Sequence, residues 1–179
     1  IKIANPDTSG VGEVLIQGDN VMKGYYKRPK ETAEVFKEGW FCSGDLGFID
    51  KKGYLYLTGR SKEVIVLSSG KNIYPEDIED VISKIEGILP GRVIAFGEDD
   101  KELGTELISL LAETNVSEVS DRKRLKILLV KAAMEIDITI SRIYLVPPRW
   151  LIKSSAGKPS RSASKDRILS VEEQLKWRV

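Results

Sequence analysis

Gly59–Glu79 reads GRSKEVIVLSSGKNIYPEDIE, and the order of its parts decides how the chain on either side is parsed. A Gly59-Arg60 turn and the charged pair Lys62-Glu63 lead into an apolar run, Val64–Leu67, with strand character. The loop Ser68-Ser69-Gly70-Lys71-Asn72 follows, and Pro75 opens a helix. Strand, polar Gly loop and Pro-initiated helix in about twenty residues form an arrangement that can carry a loop to a ligand. No chemistry is named by the stretch alone.

Downstream, Pro75–Glu86 places Ile78, Val81, Ile82 and Ile85 at helical spacing. Pro75 suits the first helical position, Glu76, Asp77 and Glu79 favour the positive N-terminal end, and Gly87 suits the C-cap. Val93–Phe96 and Leu107–Ala112 read as strands. A second helix is expected from Ser120, as N-cap, to about Asp137. Its stripe is Leu125, Leu128, Leu129, Ala132, Ala133 and Ile136, with offsets of 3, 4, 7, 8 and 11. Arg142–Val146 reads as a strand ended by Pro147-Pro148. The tail Lys153–Lys165 reads as a Ser/Gly/Lys loop before a short helix through Val171–Trp177. This order predicts an α+β unit, helices covering a small sheet.

Upstream, residues 1–58 read as β-rich. Gly12–Gln17 alternates weakly, and a short helical piece, Glu31–Phe36, interrupts the strands. Trp40-Phe41-Cys42, Leu46–Ile49 and Tyr54–Leu57 read as short runs in a meander, with Asp50-Lys51-Lys52-Gly53 as a hairpin link. This part lacks a complete core of its own, so the boundary is set near Arg60–Lys62.

The 179 residues carry 41% hydrophobic and 31% charged side chains and a net charge of +1. That balance fits a globular chain and supplies no field for nucleic acid or an anionic membrane. No apolar run reaches the roughly 18 residues of a transmembrane helix, and the N-terminus lacks a signal-peptide plan. A single Cys42 forbids an intrachain disulfide and suits a reducing cytoplasm. With no His and one Cys, neither a zinc site nor a His-based acid–base pair is available, and no metal ligands are assigned.

Two Gly-Lys pairs invite comparison with a phosphate loop. Ile65 and Ile152 stand where the first Gly is required, and Asn72 and Pro159 where Ser or Thr is required, so neither qualifies. From composition alone, Lys71 and Lys158 read as solvated loop lysines. Asp45, in Ser43-Gly44-Asp45, reads as a tight-turn acid that could equally accept two hydrogen bonds from a ribose diol. Arg60 reads as a surface ion-pair residue or a diol or phosphate ligand. Arg122-Lys123-Arg124 reads as a solvated helix face.

Taken in order, the blocks resemble the adenylate-forming superfamily: AMP-forming acyl-CoA synthetases, peptide-synthetase adenylation domains and firefly luciferase. The resemblance rests on Gly12-Glu13-Val14-Leu15-Ile16, Gly24-Tyr25-Tyr26 with Arg28-Pro29 and Thr32-Ala33, and Trp40-Phe41 with Ser43-Gly44-Asp45. It continues through Gly59-Arg60 with Lys62-Glu63, Gly70-Lys71-Asn72 with Pro75 and Ile78-Glu79, and Gly157-Lys158 with Arg161. Any one block is weak, whereas the ordered set is specific.

The resemblance implies the C-terminal third of such an enzyme. Residues 1–60 would end the large domain, and residues 61–179 would form a small mobile C-terminal domain with a mixed or antiparallel sheet covered by helices. Lys158 would be the catalytic lysine, Asp45 the ribose-diol acceptor with Arg60 beside it, and Lys62 the hinge. Ser68, Ser69, Gly70, Lys71 and Asn72 would line the thiol tunnel. The implied partners are a carboxylic acid, ATP (leaving AMP), and CoA or the phosphopantetheine of an acyl carrier protein, with Mg²⁺ held upstream. Ser-Ser-Gly-Lys-Asn matches the long-chain acyl-CoA synthetase style and favours a fatty acid. Departures are the absent Pro and Thr before Gly157-Lys158, where Ile152 or Lys153 and Ser154 stand, and Pro159 in place of an aliphatic residue. A fatty acyl-AMP ligase and a non-catalytic nucleotide- or carrier-binding module stay as alternatives.

Overall fold

The computed structural model describes residues 1–100 and 104–171. The chain divides into two units, Ile1–Glu63 and Val64–Val179.

The first unit contains β1 (Lys2–Ala4), β2 (Gly12–Ile16), α1 (Pro29–Val35), β3 (Phe36–Lys37), β4 (Trp40–Ile49) and β5 (Leu55–Arg60). Its spine is β4. Strand β2 runs antiparallel along one edge, while β3 and β5 share the other, and β1 completes the sheet beyond β2. Trp40–Cys42 and Leu46–Ile49, expected as separate runs, are therefore one strand. Between them Ser43-Gly44-Asp45 bulges opposite Val14, so Asp45 sits in a strand irregularity and not in a tight turn. Gly44, at φ +74°, supplies a backbone conformation that a side chain resists. The Ser43 hydroxyl holds the bulge by donating to the Val14 carbonyl at 2.8 Å and accepting the Asp45 N–H at 3.0 Å.

The β4–β5 hairpin turns at Asp50–Gly53 as expected, with Asp50 Oδ1 accepting the Lys52 and Tyr54 N–H groups, each at 2.9 Å. The helical piece starts at Pro29, two residues ahead of the expected Glu31, because proline fits the first helical turn. Among the described residues of this unit only Val14 and Leu15 are buried hydrophobics, while Tyr26, Tyr54 and Leu57 stand exposed.

The second unit contains β6 (Ile65–Val66), β7 (Asn72–Ile73), α2 (Pro75–Ile82), β8 (Ile88–Asp100), β9 (Thr105–Thr114), α3 (Val119–Met134), β10 (Arg142–Val146) and α4 (Arg161–Val171). Its main sheet has the order β10-β9-β8, with β8 antiparallel to β9. Strand β10 is parallel to β9 because α3 forms the crossover between them.

Side chains alternate across this sheet with the period of two that strands impose. Val93, Ala95, Ile108, Leu110, Ala112, Ile143 and Leu145 face Ile78 and Ile82 of α2 and Leu125, Leu129, Ala132 and Ala133 of α3. Ile94, Phe96, Leu111, Tyr144 and Val146 point the other way, against Leu151 and Ile168. Helices thus cover both faces.

Several boundaries differ from the sequence reading. Helix α2 stops at Ile82, because Lys84 and Ile85 bond back to the carbonyls of Val81 and Ile82 in tightened turns. Helix α3 begins at Val119 behind Glu118, so Ser120 lies inside it and caps nothing, and Leu128 is half exposed. Arg122, expected on a solvated face, is buried and donates from Nε to the Val116 carbonyl at 2.7 Å. The tail turns helical at Arg161, earlier than expected, because Ser164 and Ile168 bury one turn apart on the second face. The expected helix end at Trp177 lies outside the described residues.

Candidate functional site

In the first unit, strand pairing sets Asp45 opposite Arg60, and Arg60 Nε lies 3.1 Å from Asp45 Oδ1. The bulge lifts this carboxylate out of the β2–β4 ladder. Only one oxygen faces Nε, and an ionised carboxylate has further lone pairs for hydroxyl donors. The Ser61 N–H bonds the Gly44 carbonyl at 2.9 Å, so the chain leaving β5 stays tied to the bulge. Lys62 is exposed in the turn that follows, which the Glu63 N–H closes on the Arg60 carbonyl at 3.0 Å.

The second unit presents two Gly-Lys loops, each at a hairpin tip. Ser68–Lys71 connects β6 to β7, with the Leu67 N–H on the Lys71 carbonyl at 3.1 Å and Gly70 at φ +77°. Ser154–Lys158 is closed by the Ser154 N–H on the Lys158 carbonyl at 2.8 Å, the Ser160 N–H on the Ile152 carbonyl at 2.7 Å, and a Lys153–Pro159 bridge. Gly157, at φ +79°, makes this turn, and space is open around it. Lys158 is exposed at the tip, and among the described residues its amine has no hydrogen-bond or ion-pair partner. Asn72, the last of the expected tunnel residues, starts β7.

Helix α2 stands between these loops and uses three faces. Ile78 and Ile82 enter the core. Asp77, Asp80 and Val81 border a groove of about 390 Å³ that Lys71, Tyr74 and Ile136 also line. On the third face, Glu79 Oε1 lies 2.8 Å from Arg161 Nη2, and Glu76 Oε1 lies 3.3 Å from the same nitrogen.

This third face meets the open edge of β8. The Ala95 N–H, which points away from β9, donates to Glu79 Oε1 at 2.8 Å, and Lys165 reaches the Gly97 carbonyl two residues on. Arg161 and Lys165 therefore wrap one turn of α4 around the edge strand. Burial pushes the Glu79 carboxyl up to about 8, opposed by the Ala95 N–H and reinforced by Glu76 and Asp80; burial also lowers Arg161 to about 10. The guanidinium at 2.8 Å acts in the opposite sense on the carboxyl and favours its charged form.

The other arm of the Lys158 hairpin is anchored as firmly. The Leu151 N–H donates to buried Glu113 at 2.7 Å, and the Ile152 N–H donates to the Ser164 hydroxyl at 3.0 Å. The roles of Glu79 and Arg161 were hidden in the sequence, where Glu79 read as a helix-dipole acid and Arg161 as a motif letter. Glu113 gave only one signal, a lone acid at the end of an apolar strand. Among the described residues, no group of three or more His, Cys, Asp or Glu gathers to hold a metal ion, and no helix is long and apolar enough to cross a membrane.

No family model matches the chain. The 2-succinylbenzoate–CoA ligase of Oceanobacillus iheyensis is 46% identical over 113 residues, which cover 62% of this chain and 23% of that protein. The 4-hydroxyphenylalkanoate adenylyltransferase of Mycobacterium tuberculosis is 34% identical over 196 aligned positions, covering 96% of this chain and 31% of that protein. Among solved structures, a fatty acyl-adenylate ligase, from work on the Escherichia coli and Legionella pneumophila enzymes, superposes with a TM-score of 0.75 and 33% identity. That match covers 92% of this chain and 28% of that one. The chain belongs to the adenylate-forming superfamily of AMP-dependent acyl-CoA synthetases and ligases. It spans less than a third of the length of each of these relatives.

Proposed function

We propose that the chain is the C-terminal part of an AMP-forming acid–thiol ligase. Residues 1–60 would end its large domain, and residues 61–179 would form its small mobile domain. The whole enzyme activates a carboxylic acid, a fatty acid by the likeness of the Ser68–Asn72 loop to the long-chain acyl-CoA synthetase style, and transfers the acyl group to CoA. The observation that carries this reading is Lys158, an exposed lysine without a partner among the described residues, held at the tip of a hairpin anchored on both arms.

In the first step a carboxylate oxygen attacks the α-phosphorus of ATP, and the bond to pyrophosphate breaks. Negative charge spreads over the phosphoryl oxygens, and Lys158 supplies a fixed cation there. Asp45 accepts from the ribose diol, with Arg60 orienting the carboxylate from one side. In the second step a thiolate attacks the acyl carbon and AMP leaves. The Ser68–Asn72 tip lines the thiol's path. Mg²⁺ would be held by a part of the whole enzyme outside this chain. A second reading, a fatty acyl-AMP ligase that delivers to an acyl carrier protein, is favoured by the resemblance to the fatty acyl-adenylate ligase structure.

The test is ATP–pyrophosphate exchange with the full-length protein and with this chain alone. Exchange is expected from the first and absent from the second, and exchange by the chain alone would overturn the assignment. Offering CoA and a carrier protein in parallel separates the two readings.

Lys62 is the proposed pivot between the two half-reactions. A hinge needs only a residue or two to absorb large φ/ψ changes. Lys62→Pro fixes φ and should slow thioester formation more than adenylation. Unchanged thioesterification kinetics in single-turnover measurements would remove Lys62 from that role.

A further inference from the structure

We propose that Arg161, paired with Glu79, is a positioning residue for the reaction assigned to Lys158: the pair pins the base of the Lys158 hairpin to the first turns of α2. The inference rests on the functional reading above and adds to it a residue that acts through the placement of Lys158.

Four observations converge on the pair. Arg161 is the first residue of α4 and stands three positions after Lys158, immediately beyond the Ser160 N–H that closes the hairpin. Its side chain is only 14% exposed, and both Nε and Nη2 contact Glu79 Oε1, at 3.2 and 2.8 Å. Glu79 is held in turn by the Ala95 N–H on the edge of β8, so the carboxylate has a fixed place rather than a mobile one. Lys158 is exposed and makes no ion pair of its own among the described residues, so its position is inherited from the arms of the hairpin.

Helix α2 also follows directly on the strand that closes the Ser68–Asn72 loop. Arg161, through Glu79 at 2.8 Å and more loosely through Glu76 at 3.3 Å, therefore ties both Gly-Lys hairpins to a single helix, and the second unit carries them as one body. A planar guanidinium with two nitrogens on one carboxylate fixes direction as well as distance, which an ammonium cannot do. Arg161→Lys should keep the charge and lose the fixed direction.

The experiment uses Arg161→Lys, Glu79→Gln and the double variant in the full-length ligase, beside wild type and Lys158→Ala. Displacing a reacting group by about 1 Å can cost about 100-fold in rate. Each single variant should lower the kcat of ATP–pyrophosphate exchange by about 10- to 100-fold, with KM for ATP and acid within about twofold of wild type. The double variant should be no worse than the weaker single, because the two residues act as one unit.

In this chain, hydrogen exchange at the Ser154, Gly157 and Ser160 amides should accelerate at least about tenfold in Arg161→Lys, while the amides of β9 stay protected. Additive losses, an unchanged kcat, or unchanged exchange at those three amides would each overturn the inference. If Lys158→Ala itself leaves exchange activity intact, it is the assignment of Lys158 that fails; if only the Arg161 and Glu79 variants are silent, the assignment stands and the positioning role falls.

Discussion

Replacing Lys158 by alanine in the full-length enzyme should slow acyl-adenylate formation by about 10²- to 10³-fold, the scale of losing one preorganised charge-stabilising donor. Thioester formation from supplied acyl-adenylate should persist near the wild-type rate, because the role proposed for the lysine serves only the step in which phosphoryl charge develops. The fold should not change. Lys158 is exposed at a hairpin tip and is held through its backbone, and surface substitutions of that kind shift stability by no more than about 0.5 kcal/mol. Pyrophosphate exchange measures the first step, and transfer from preformed acyl-adenylate measures the second. Equal losses in both would show that the lysine supports something common to the two, and the separation of steps would have to be abandoned.

The largest expected effect on stability is at Ile78. This residue is fully buried on α2, packed with Ile82, Leu125 and Leu129 against the sheet. Ile78→Ala should cost about 2–5 kcal/mol through lost transfer energy and the cavity left behind. Domains of this size hold only about 5–15 kcal/mol in total, so the second unit would be left marginal. Leu128→Ala is the matched control. Leu128 shares a helical stripe with Leu129 in sequence but is half exposed, and its loss should cost no more than about 0.5 kcal/mol. Urea denaturation of the chain measures both. A difference under about 1 kcal/mol between the two variants would mean that the packing of the α2–α3 face is misplaced.

Leu128 also illustrates what periodicity can and cannot say. The offsets located α3 to within a few residues at each end, and Arg142–Val146 was legible as a strand to the residue, because both are bounded by sharp changes in polarity. Which side of a broad stripe faces the core depends on neighbours that sequence spacing does not name.

The start of helix α4 escaped the sequence reading for a related reason. Its run RSASKDRILSV buries only Ser164 and Ile168 among the described residues, too few apolar side chains to imprint a pattern. The Ser43–Asp45 bulge escaped because a Gly between polar residues reads as a turn whether or not a strand continues beyond it. The hairpin at Asp50–Gly53 brings β5 alongside Asp45, but its register continued unbroken would set Gly59 there; a one-residue shift between Leu46 and Gly47 puts Arg60 opposite instead, and sequence spacing does not announce it. The Glu79–Arg161 pair is separated by 82 positions and depends on an edge strand between them, so nothing local could announce it.

The parallel pairing of β10 with β9 has a consequence for the order in which the second unit assembles. An antiparallel pair such as β8 and β9 can close through a short connection, whereas β10 can pair only after α3 has been laid across the sheet. Leu151 and Ile168 pack on that sheet and Ser164 bonds the Ile152 N–H, so the hairpin bearing Lys158 should be the last segment to gain its contacts. Their face buries seven hydrophobic side chains among the described residues, against eighteen on the face of α2 and α3. Segments with few apolar contacts are the ones that open at the lowest free energy. A protease added to the native chain would therefore cut within 151–171 before it reached β9, and the lysine would leave a unit whose main core was still folded.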